Sequence, residues 1–90
     1  MTQRVIAGIG WYEESQWPEY RRIMVDEVDE HHVDWLRQAE AAERNLRRAG
    51  AEPVRVLIDL GDFELWCRAR RRACDASARA EYVTEKVRVA

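Results

Sequence analysis

Along this chain, short apolar runs alternate with longer stretches in which hydrophobic residues recur every three or four positions. RVIAGIGW, residues 4–11, has the two-residue alternation of a strand, with Val5, Ala7 and Ile9 on one face; Gly8 and Gly10 weaken it. Those glycines suit close backbone packing, since GIG without a further spaced glycine is far from a dinucleotide fingerprint. Ser15 is placed to cap a short helix over QWPEYRRIM. Pro18 fits its first turn, where a missing amide proton matters least. Trp17, Tyr20 and Met24 then share one side.

The main helix is predicted between Asp26 and Ala49. Acids occupy its first turns, Arg47 and Arg48 its last, and Gly50 and Pro53 lie just beyond. Taking Trp35 as reference, Val28, Ala39, Ala42, Leu46 and Ala49 fall within about 40° of it, which defines a buried stripe. PVRVLIDL, residues 53–60, is the clearest strand. Val54, Val56, Ile58 and Leu60 share one face, and Leu57, between Arg55 and Asp59, partly covers the other. Gly61 and Asp62 turn the chain, and Asp62 is placed to cap the helix FELWCRARRR. Asp75 or Ser77 caps a last helix through about Val87, with Ala76, Ala80, Val83 and Val87 on its inner stripe.

This order, β-α-α-β-α-α, predicts an α+β fold: one compact, mostly helical domain over residues 1–90 with two short strands. Strands separated by helices suit parallel pairing through a right-handed crossover. A two-stranded sheet is meagre alone, so edge pairing between subunits is expected to complete it. A misread first strand would leave the fold mostly helical.

Composition supports a folded chain, with 47% hydrophobic residues and four tryptophans. Ninety residues build only a modest core, to which burial in a dimer would add. The net charge of −2 is unevenly spread. Residues 1–45 hold five arginines against ten acids, and residues 46–90 hold ten basic residues against seven acids. Such polarity favours self-association, and a net acidic domain is a poor nucleic-acid binder. No apolar run approaches the roughly 20 residues that span a bilayer. MTQRVIAGIGWYEE is too short and too soon interrupted by acids for a secretory signal. The expectation is a cytoplasmic protein with no membrane partner. Cys67 and Cys74 suit no common zinc spacing. On one continuous helix they would stand roughly 10 Å apart, beyond disulfide reach, so two reduced thiols are expected.

Candidate chemistry concentrates in MVDEVDEHHVDW, residues 24–35, where five carboxylates surround His31 and His32. Adjacent helical residues diverge by about 100°, so the two imidazoles would not grip one ion from a regular helix. HExxH spacing is missing, and Asp29 with His32 matches only half of a carboxylate-bridged metal pattern. A small metal-dependent enzyme using these histidines and nearby acids is thus a secondary reading, and no cofactor is expected. RARRR, residues 68–72, is the one basic cluster. If helical, it would set Arg68, Arg71 and Arg72 on one outer face, able to hold a phosphate, an acidic peptide or a nucleic-acid backbone. The competing reading is a solvated face that balances the acidic first half. Trp11, Tyr12, Trp17 and Tyr20 would line a pocket, anchor a partner, or simply fill the core. No serine, threonine or cysteine sits in a recognisable nucleophile setting.

GWY near the start, VDWLRQAE in the main helix, VLID in the strand, FELWC after it and ARAEY near the end resemble short bacterial proteins of unknown function. The likeness spans most of the chain and falls on packing and capping positions. It implies a bacterial cytoplasmic protein and carries over no catalytic residue. The expected function is a small non-enzymatic interaction or regulatory module, homodimeric or joined to another protein.

Overall fold

A computed structural model describes residues 5–89 of the chain; Arg4, the expected first residue of the first strand, lies outside them. Strand β1 (Ile6–Trp11) leads through a single 3-10 turn (Glu14–Gln16) to helix α1 (Trp17–Ile23). Helix α2 (His32–Arg48), strand β2 (Glu52–Leu57), helix α3 (Leu60–Ala69) and helix α4 (Ala76–Val89) follow. The strands pair in parallel, Ile6 opposite Glu52 and Trp11 opposite Leu57, and make the only sheet among the described residues. This is the expected α+β order.

Several boundaries differ from the sequence expectation, each for a local reason. Ser15 does not open the first helix: the turn starts at Glu13, whose backbone N–H donates to Gln16 Oε1 at 2.8 Å. Helix α2 starts at His32, six residues later than the acidic run suggests. Asp26 is drawn to Arg79 of α4 through two bonds of 2.8 Å. Val25 N–H donates to the Cys74 carbonyl at 2.9 Å, and Trp17 Nε1 to the Asp29 carbonyl at 3.0 Å. These long-range bonds hold the segment extended where local propensity favours helix. Asp59 rather than Asp62 caps α3, its Oδ1 accepting from Asp62 N–H at 3.0 Å. Asp75 caps α4 by accepting from Ala78 N–H at 2.9 Å. Gly50 follows α2 at a φ of 87°, a conformation open to a residue without Cβ.

The two faces of the sheet are covered by different helices. On one, α4 lies directly against β1: a Cβ on Gly8 would stand 2.5 Å from Val87 Cγ2 and 2.9 Å from Val83 Cγ1. The glycines therefore serve close helix–strand packing. Beneath α4 lie Ile58, Leu60, Phe63 and Cys67, all buried. Helix α4 turns Ala78, Tyr82 and Val83 inward, leaving Ala76 and Ala80 exposed, because a tyrosine ring offers far more apolar surface than an alanine. On the other face α2 presents Trp35, Ala39 and Glu43, while Ala42 and Ala49 of the expected stripe are exposed. Glu43 sets that rotation by accepting from Arg55 of β2 at 2.8 and 2.9 Å.

Candidate interaction site

The histidines separate. His31 precedes α2 with an extended backbone and an exposed side chain. His32 opens the helix and places Nε2 2.7 Å from the Tyr12 carbonyl. A carbonyl only accepts, so Nε2 carries the proton and is committed there. The premise that both histidines sit on one helix therefore fails, and their divergence comes from backbone geometry. Among the described residues no group of three or more His, Cys, Asp or Glu side chains could hold a metal ion.

The basic cluster is also divided. Helix α3 ends at Ala69, and Arg71 takes a φ of 53°, so residues 68–72 do not share one helical face. Arg72 folds back to pair with Glu81 and to face the Trp66 ring. Arg70 donates to Glu85 at 3.1 Å and lies 4.2 Å above the same ring. Arg68 and Arg71 are exposed, with no carboxylate in ion-pair reach among the described residues. The same chain reversal returns Cys74 towards Cys67, and both thiols are buried and unbonded. Burial first, and then the Cys74 thiol, push Cys67 up to about 12.

Trp11, Tyr12, Trp17 and Tyr20 are all buried and pack mainly on one another. Trp17 and Tyr20 stack at 4.3 Å, with Tyr12 edge-on to Tyr20 at 4.6 Å and to Trp35 at 5.2 Å. Burial raises the Tyr12 hydroxyl well above its ordinary range. Trp17 also lines a shallow hollow of about 560 Å³ between α1 and the start of α2, ringed by Glu14, Arg21, Glu30 and His31.

The most distinctive feature is the edge of the sheet. Val5 O accepts from Glu52 N–H at 2.8 Å, and Trp11 O from Ile58 N–H at 3.2 Å. Backbone groups alternate sides along a strand, so Val5, Ala7, Ile9 and Trp11 turn theirs to β2. Ile6, Gly8 and Gly10 turn theirs outward, and no strand among the described residues pairs with them. The outer edge of β2 belongs by the same alternation to Pro53, Arg55 and Leu57. Pro53 has no N–H to offer, which blunts that edge.

A groove follows the open edge. One hollow of about 410 Å³ meets Gly8, Ile9 and Gly10 of β1, Trp35 of α2, and Ala80, Val83 and Thr84 of α4. It touches side chains from both faces of the sheet and so opens at the strand's edge. A second, of about 220 Å³, continues past Ile6 and Gly8 to Val87 and Arg88. Ile6 is 55% exposed and Val5 72%. Residues 5–12 carry no charge, so the strand itself presents no ion to be desolvated; the charged side chains at the two hollows, Arg79 and Arg88, belong to α4. Strand alternation alone does not say which edge is left open; the signal is Pro53 in one strand against alternate glycines in the other.

No known protein family, curated protein or solved structure matches the chain. Among the described residues no helix is long and apolar enough to cross a membrane.

Proposed function

We propose that this chain is a small, non-enzymatic interaction module that takes up an extended strand along the outer edge of β1. The observation that carries this reading is the row of outward N–H and C=O groups on Ile6, Gly8 and Gly10 beside a groove lined by Trp35, Val83 and Val87 together with Arg79 and Arg88. In strand addition, backbone hydrogen bonds supply affinity and adjacent hollows take alternate side chains. Natural edges are commonly blunted by proline, charge or a covering element. Here β2 has Pro53, whereas Ile6 to Trp11 has neither proline nor charge. Two buried, unpaired thiols fit a reducing compartment, and the reading places the module in the bacterial cytoplasm.

The test is amide exchange followed by NMR in dilute protein. Ile6, Gly8 and Gly10 should exchange quickly while Ala7 and Ile9, bonded to β2, exchange slowly. Adding uncharged octapeptides of alternating valine and threonine should shift the three outward amides first. Slow exchange at all three under conditions where sedimentation shows a single chain would mean that the chain itself covers the edge, and would end this reading.

A further inference from the structure

Resting on that reading, we propose that the strand taken up is β1 of a second copy, antiparallel, with Gly8 on the two-fold axis. The result is a closed dimer with a four-stranded sheet in the order β2–β1–β1–β2.

The side chains along β1 fit this register. With Gly8 opposite Gly8 of the second copy, Ile6 falls opposite Gly10, and each outward N–H and C=O of these residues meets a complementary group. The Ile6 side chain, 55% exposed in the single chain, then lies where Gly10 has none, over the hollow of about 410 Å³. Symmetry repeats the match, as a self-complementary patch requires. On the opposite face the same register sets Ala7 against Ile9 and the exposed Val5 against Trp11. Shifting the axis to Ile9 instead sets Gly8 against Gly10 twice, where the proposed register has one glycine pair on the axis, and sets Ile6 against the bulky Tyr12.

Charge along the strand permits self-pairing as well. Residues 5–12 contain no ionisable acid or base apart from the Tyr12 hydroxyl, so self-pairing sets no like charges across the axis. Pairing at β1 also closes the assembly. Once β1 is paired, the remaining edges belong to β2, and Pro53 lies on each. A proline on an edge discourages further strand addition, so assembly stops at two chains rather than growing into a fibre.

The experiment combines sedimentation equilibrium with directed cross-linking of the full chain. The unmodified protein should be a dimer, and Ile6→Lys, at an exposed position, should weaken association at least about tenfold while leaving the circular dichroism spectrum unchanged. If Ile6→Lys disturbs folding, Ile6→Pro replaces it, since that N–H bonds nothing within the chain. Ala7→Cys mixed with Ile9→Cys should form a mixed disulfide dimer under mild oxidation, and neither alone should do so efficiently. Dimerisation insensitive to both Ile6 variants, or efficient cross-linking by Ala7→Cys alone, overturns the proposed pairing. A monomer at all concentrations also overturns it. In that case the valine–threonine peptides still separate the two ideas: peptide uptake at Ile6, Gly8 and Gly10 leaves strand capture standing, and its loss removes both.

Discussion

On the α4 side of the sheet, Val83 and Val87 press on Gly8, and Phe63, Cys67 and Tyr82 are shut away from solvent. On the α2 side, a buried carboxylate, Glu43, reaches across to Arg55, whose guanidinium lies 3.8 Å above the Trp11 ring. The first face is mainly apolar where it meets the sheet; the second is held by an ion pair, a cation–π contact and the Trp11 and Trp35 rings. The contrast teaches how a small domain divides its work. The most enclosed side chains, Phe63, Cys67 and Ala78, lie on the α4 side, whereas the α2 face and the strand edge between the helices are polar in part and more open.

Removing the centre of the α4 side should break this division most severely. Phe63 is 1% exposed, so Phe63→Ala should cost about 3–5 kcal/mol in chemical denaturation. A loss below about 1 kcal/mol would mean that the core lies elsewhere.

The ion pair comes next. Arg55→Met leaves the Glu43 carboxylate without its donors and should lower the melting temperature at neutral pH, by less than Phe63→Ala does. The sign of its pH dependence is informative. Hydrogen bonding from Arg55 holds the Glu43 carboxyl below its usual range, as Arg79 does for Asp26. A depressed carboxyl contributes stability above its unfolded value, about 4, that is lost as pH falls through the folded one. The unmodified protein should weaken in acid, whereas the Arg55→Met deficit should shrink as Glu43 takes up a proton. Thermal melts between neutrality and mild acid decide this, and a deficit constant with pH would show that Glu43 was never ionised against Arg55.

The smallest effect concerns the link from β2 into the core. Asp59→Ala removes the cap of α3 and should cost about 1 kcal/mol, measured against Asp62→Asn, which keeps that cap. Equal losses would mean that the Asp62 carboxylate, which accepts from the Tyr82 hydroxyl, matters as much as the helix end.

Much of the architecture was legible in local signals. Alternation in PVRVLIDL marked β2, Gly50 and Pro53 marked the end of α2, and the helices between two strands implied their parallel pairing. The candidate site was less legible. The acidic run read as helix set His31 and His32 about 100° apart on one wheel, whereas the helix begins only at His32, and Arg68, Arg71 and Arg72 formed one face only if α3 ran on past Ala69.

By itself, then, the chain determined its element types and their order, because periodicity and capping act over a few residues and need no knowledge of the remainder. Tertiary structure decided where helices began and stopped, which faces turned inward, and which backbone groups were left outward. Those outcomes depended on partners distant in sequence: Arg79 drawing Asp26 out of a helix, Arg55 turning Glu43 inward, and β2 occupying one side of β1 and leaving the other exposed. A local pattern carries no information about which distant group will arrive, and here the arriving groups set the geometry of the edge.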